Sequence, residues 1–278
     1  MNAEPLLYEL HDRARDAGLE GYRRMSKAAL LEALDGVESG PTIVESSVRG
    51  GLGLVTLRDG RENVLALETL EGLADAAEAL AADPEVRIVG IVGGGSRIFS
   101  AGADLKALQR LPGAEVGGRG AAALERIEAL AVPTVALLNG HVVGGGIDLC
   151  LACDWRVAVE GAKLRFIHNE LGYTPPWGAA LRLGALIGRG AALRLFATCE
   201  LVSSQEARTI GIVDEVVAPH KLLSRAESLA VRVGRSDRDA LAGTKRLLRP
   251  GVTMDEHTAA FAALWDARPL PFPNEPDQ

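Results

Sequence analysis

Twice in this chain an apolar run ends in clustered glycines and reopens as a helical stretch, and that pairing limits the folds available to it. In the first case Ile88–Val92 reads as a buried strand and leads into GGGSRIFSAGADLKAL, residues 93–108. In the second, Thr134–Leu138 ends in Asn139-Gly140, a turn signal. Gly144–Gly146 then open an apolar stretch, Ile147–Ala152, broken only by Asp148. Glycines at such a turn let the backbone pass close to a ligand, and the first amides of the following helix lack an internal partner. One glycine triplet is most often a packing turn. Two small-residue turns aiming amides at one point make a two-donor site for an oxygen that gathers negative charge.

The rest of the chain fits a repeating strand–helix pattern, which argues for an α/β fold with parallel strands. Val44–Leu57 reads as a hairpin turning at Gly50–Gly53, and Leu67–Ala82 as a helix with Leu70, Leu73, Ala77 and Leu80 on one face. Pro112–Gly120 is glycine-rich without a clear period, and Ala121–Leu130 is a helix. Leu181–Gly188, Ala191–Thr198, Leu222–Val233 and Asp239–Leu248 also read as helices. Residues 1–38 form a small separate module ahead of a Gly40-Pro41 linker. Pro5–Ala17 is a helix stopped by Gly18, and Ser26 caps a second helix, Lys27–Leu34. The main domain is taken as 42–265, and 266–278 is a proline-rich tail.

With 278 residues, 47% of them apolar and 24% charged, the composition is that of a soluble globular protein. A net charge of −7 argues against a general nucleic-acid binder. No uncharged apolar stretch of about 18 residues exists to span a membrane, and no basic-then-apolar leader opens the sequence. Three cysteines point to a reducing cytoplasm, and the Cys150/Cys153 pair lies inside an apolar helix, where core packing is the expected role.

SAGADLKAL, HVVGGGIDL and the CDWRVAVEGAKLRF segment together resemble the crotonase (enoyl-CoA hydratase/isomerase) superfamily, over roughly Ile43 to Trp265. The resemblance implies a ββα spiral with a C-terminal helical region that packs on neighbouring subunits, in a homotrimer or hexamer. It implies an acyl-CoA or acyl-carrier thioester as substrate, with coenzyme A or phosphopantetheine as part of it and no separate cofactor or metal. The oxyanion donors would be the amides of Ala103 and Gly145, and a Cβ at Gly145 is expected to crowd the oxygen held there. Ala103, Asp104, Leu105, Lys106 and Gly145 would border the coenzyme A groove, with Asn63-Val64-Leu65 lining it. On residue type alone Lys106 is equally a solvated helix lysine. The 112–120 region corresponds to a mobile border of the acyl pocket.

Asp148 matches the first of two glutamates used by a family hydratase, although a carboxylate in a first helical turn is also favoured by the helix dipole alone. His168 stands where a hydratase carries its second glutamate. The segment KLRFIHNELGYTPPWGAALRL resembles the ethylmalonyl-CoA and methylmalonyl-CoA decarboxylases, except that Asp148 replaces a glutamate one methylene longer. Trp177 is either the wall of a small acyl pocket or a core aromatic. The expected activity is therefore decarboxylation of a small malonyl-type thioester through a stabilised enolate. Hydration or isomerisation with Asp148 as base is the alternative, and a non-catalytic scaffold recruited through residues 1–38 is a third reading. The N-terminal module resembles that of the Rho transcription terminator. Its five Lys/Arg against seven Asp/Glu in residues 1–37 favour protein docking over nucleic-acid binding through Arg23, Arg24 and Lys27.

Overall fold

The structure, a computed structural model, describes residues 22, 25–35, 43–58 and 62–267. Within these residues the chain winds strand by strand into two principal sheets, with helices packed around them and one, Gly145–Leu151, wholly buried. The larger sheet contains β1 (Ile43–Arg49), β2 (Leu52–Arg58), β4 (Ile88–Gly93), β7 (Thr134–Leu138), β9 (Trp155–Val159) and β12 (Glu215–Val217), in that spatial order. β1 and β2 form the antiparallel hairpin read from the sequence, and every other pairing in this sheet is parallel. All of β4 and β7 is buried, as their unbroken apolar runs require of parallel strands covered on both faces. The second sheet has the order β11 (Leu201–Ser203), β10 (Lys163–Arg165), β8 (His141–Val143) and β5 (Ile98–Ser100). A small parallel pair joins β3 (Val64–Leu65) to β6 (Gly102–Ala103).

β8 was not apparent in the sequence, because three residues are too few to show a period. Asn139-Gly140 is the step from the large sheet to the small one. A side chain at 140 would overlap the backbone of Arg97, so only glycine lets the two chains pass. The Asn139 side chain closes the same crossing. Its Oδ1 accepts from the Gly93 N–H at 3.0 Å, and its Nδ2 donates to the carbonyls of Gly93 and Gly95.

Of the helices, α1 (Lys27–Asp35) follows Ser26, whose Oγ accepts from the Ala29 N–H as expected of its cap. The predicted Pro5–Ala17 helix and most of the 266–278 tail lie outside the described residues. α2 spans Leu67–Ala82, as its periodicity predicts, and buries Leu70, Leu73, Ala77 and Leu80. α3 (Leu105–Leu108) is a single turn. α4 runs from Gly113 to Glu128 and so absorbs the stretch 113–120 that the sequence left without regular structure. Four glycines make it a poor helix in isolation. Tertiary contacts override that propensity: Arg119 reaches Glu71, Glu68 and Glu115, while Arg126 reaches Glu78 and Asp75, fastening α4 to α2.

Beyond α5 (Gly145–Leu151) the helices are α6 (Ala179–Ile187), α7 (Arg189–Thr198), α8 (Ser204–Thr209), α9 (Leu222–Val233), α10 (Arg238–Leu247) and α11 (Met254–Asp266). The main core lies between the two sheets and helices α2, α4 and α5, and a second core packs α9 onto the far face of the large sheet. Cys150 in α5 and Cys153 just past its C-cap are buried, and burial pushes the Cys153 thiol up to about 12. No helix among the described residues is long and apolar enough to cross a membrane.

Candidate active site

The two glycine-rich turns meet at one point. β6 ends at Ala103, after Gly102 has taken a positive φ of 99°. α5 starts at Gly145, after Gly144 at φ 50°, so the Gly145 amide has no partner within its own helix. A Cβ on Gly102 would lie 2.9 Å from the Gly145 nitrogen, and one on Gly145 would lie 3.1 Å from the Ala103 nitrogen. The turns are thus in direct contact, and Ala103 and Gly145 both line one cleft of about 780 Å³. Ser100 locks the approach: its hydroxyl donates to the Asn63 carbonyl at 2.7 Å and accepts from the Gly102 N–H at 3.1 Å. Asn63, itself at φ 52°, donates through Nδ2 to the carbonyls of Gly94 and Ile98. Its buried side chain is therefore an organiser of the turn. Its family position alone pointed instead to the groove lining.

Ala103 and Leu105 line the cleft with Gly144, Gly145, Ile167 and His168. Asp104 does not: its side chain caps α3 by accepting from the Ala107 N–H at 3.0 Å. Lys106 is exposed and is not part of the cleft wall. The first half of α4 supplies Gly113, Val116 and Gly117 as the opposite wall. The resemblance implies a mobile border of the acyl pocket here; the stretch is helical, and these three residues line the cleft.

Asp148 and His168 come together behind the glycines. His168 sits on a 3₁₀ turn, Ile167–Asn169, and is 6% exposed, while Asp148 is 0% exposed. The Asp148 Oδ1 accepts from the Trp177 N–H at 3.2 Å and the Ala179 N–H at 2.9 Å. Its Oδ2 stands 3.2 Å from His168 Nε2, close enough for an ion pair but out of hydrogen-bond alignment. Neither imidazole nitrogen has a hydrogen-bond partner among the described residues. His168 forms part of the cleft wall and Asp148 does not. Arg165 and Glu170 brace the turn through a paired contact at 2.8 Å, and Phe196 of α7 packs behind the imidazole at a centroid distance of 5.9 Å.

Trp177 is fully buried and does not line the cleft, which decides between its two readings in favour of a core aromatic. It also changes the reason for Gly145. A Cβ there would meet the Trp177 ring at 2.5 Å, so the side chain is forbidden by the indole behind it, in addition to any crowding of a bound oxygen. Tyr173 in the cleft wall and the amides of Trp177 and Ala179 were missed in the sequence. Nothing local marks a backbone donor that is paired across 29 or 31 residues.

Known proteins resemble the chain over most of its length. Residues 47–265 match the family model described as enoyl-CoA hydratase/isomerase. A crotonyl-CoA hydratase from Syntrophomonas wolfei is 35% identical over 196 residues, covering 69% of this chain and 75% of that protein. A carnitinyl-CoA dehydratase from Salmonella enteritidis is 34% identical over 197 residues, covering 70% and 76%. Among solved structures, an enoyl-CoA hydratase from Bacillus anthracis superposes with a TM-score of 0.75 at 29% identity, over 81% of this chain and 92% of that one. With its spiral of parallel strands and its paired glycine turns, the chain belongs to the enoyl-CoA hydratase/isomerase family of the crotonase superfamily.

Proposed function

We propose that the chain hydrates, or shifts the double bond of, an enoyl thioester through an enolate held between the Ala103 and Gly145 amides, with His168 moving the proton. The observation that carries this is the contact of the two amide-bearing turns in one cleft wall with His168. In water addition, a base takes a proton from water as oxygen bonds to the β-carbon. The thioester carbonyl then receives the electron pair, and a proton is returned to the α-carbon. Each amide aimed at the enolate oxygen contributes about 2.7–4 kcal/mol to such a step. Among the described residues His168 and Tyr173 are the acid–base side chains of the cleft wall, and His168 stands 3.2 Å from Asp148 Oδ2, a carboxylate that can orient it. Asp148, with Oδ1 engaged by two amides, acts through His168 in this reading and not as the base itself. Hydratase and dehydratase relatives favour it. The test is loss of enoyl absorbance from crotonyl-CoA, and a chain that leaves this and longer enoyl thioesters unchanged defeats the reading.

Decarboxylation of a methylmalonyl- or ethylmalonyl-type thioester is the second reading. One observation favours it: among the described residues no carboxylate lines the cleft. A carboxylate in the wall would oppose the substrate's own charge by about 4 kcal/mol at 4 Å and an effective dielectric of 20. Resemblance of the 163–183 segment to the decarboxylases points the same way. Release of CO2 from methylmalonyl-CoA without hydration of crotonyl-CoA would select it. Coenzyme A or a carrier phosphopantetheine would enter past Leu105. A homotrimer or hexamer, a cytoplasmic location, the 1–38, 42–265 and 266–278 division and protein docking through 1–38 complete the proposal.

A further inference from the structure

We propose that Trp177 is a positioning residue whose indole sets the Gly145 amide in place and ties it to the α4 wall of the cleft. The inference rests on the oxyanion role given to Gly145 above. Trp177 is joined to the site on every side. Its backbone N–H donates to Asp148 Oδ1 at 3.2 Å, and its carbonyl accepts from Arg182 Nη1 at 2.7 Å. Arg182 is itself held by Glu128 at the end of α4. The indole Nε1 donates to the Val116 carbonyl at 2.9 Å, and Val116 lines the cleft.

Two glycines are shaped to this ring. A Cβ on Gly145 would lie 2.5 Å from Cζ3, and a Cβ on Gly120 would overlap Nε1. Gly120 is in the interior of α4, where alanine is the better helix former. Helix propensity therefore gives no reason for glycine there, and the indole does. The six-membered ring edge touches Gly145 while the pyrrole edge touches Gly120, so the ring is wedged between the amide-bearing turn and the cleft wall. Pushing it from one side moves it against the other.

The chain itself provides a rescue experiment. Gly120→Ala should force the indole toward Gly145 and lower kcat for the chain's thioester substrate by about tenfold to a hundredfold, the cost of misplacing a group by about 1 Å. Trp177→Phe removes the pyrrole edge and the Val116 bond, and should cost less in kcat while raising KM. The double variant Gly120→Ala/Trp177→Phe has room for the new methyl, so its kcat should return to that of Trp177→Phe. With circular dichroism and the urea midpoint showing that Gly120→Ala stays folded, bound acetoacetyl-CoA enolate absorbance should fall in that variant and recover in the double variant. Additive losses in the double variant, or wild-type kcat and enolate signal in Gly120→Ala, overturn the proposal. If the wild type neither polarises acetoacetyl-CoA nor turns over any acyl thioester, the oxyanion reading itself fails, and this inference fails with it.

Discussion

Asp148 is a buried carboxylate whose two oxygens have different neighbours. Its Oδ1 satisfies two buried backbone N–H groups, and its Oδ2 faces His168. Asp148→Ala strands those two donors, each at about 1–3 kcal/mol, and should lower the urea midpoint clearly. Asp148→Asn can still accept at one oxygen, so it should keep most of the stability and lose turnover. Equal destabilisation by Ala and Asn would contradict the role of Oδ1. Another histidine gives a pH signature. His141 is held below its ordinary value of 6.5, first by burial and then by Lys163 and Arg97, and its Nδ1 accepts from the Lys163 N–H at 3.2 Å. Its folded pKa is lower than its unfolded one. As pH falls through about 6.5 the unfolded chain takes the proton first, and stability drops. The difference between urea midpoints at pH 8 and pH 5.5 should shrink in His141→Asn, whose amide oxygen can replace Nδ1 as acceptor. An unchanged difference would remove His141 as the cause.

At the scale of elements, α4 is the part that the sequence reading had least access to. α2 and α9 were legible because their burial repeats locally every three or four residues. The stretch 113–120 carries four glycines, and its helix depends on Arg119 contacts with Glu68 and Glu71, some 50 residues earlier. Arg119 holds the Glu71 carboxyl below its ordinary range, chiefly through their hydrogen bond. Arg119→Ala should therefore speed hydrogen exchange in the first half of α4 and raise KM by up to about fivefold with kcat little changed. Exchange that stays at the wild-type rate would mean that packing alone holds this wall. The site was legible in part for the same reason. Ala103, Gly145 and His168 lie in compact motifs, whereas the N–H donors to Asp148 and the Trp177 ring next to Gly145 are brought there only by the fold.

The whole molecule combines a deeply packed sheet core with an exposed apolar C-terminal region. Leu248, Met254, Phe261 and Trp265 are each more than half exposed, and the last two rings stack at 5.4 Å. Apolar patches of that kind mark association surfaces, in line with the proposed oligomer. A chain starting at Pro41 should keep both fold and turnover, since no candidate site residue lies in 1–37; aggregation or loss of all turnover would contradict the proposed division. The central claim is that an acyl thioester becomes an enolate between two backbone amides and receives its proton from His168. The most direct measurement is deuterium uptake from heavy water at the carbon next to the thioester carbonyl, followed by mass spectrometry with crotonyl- and methylmalonyl-CoA. The account predicts label in the product of the wild type and a fall in the labelling rate of at least about a hundredfold in His168→Gln. Label-free product from the wild type, or an unchanged rate in His168→Gln, would contradict it.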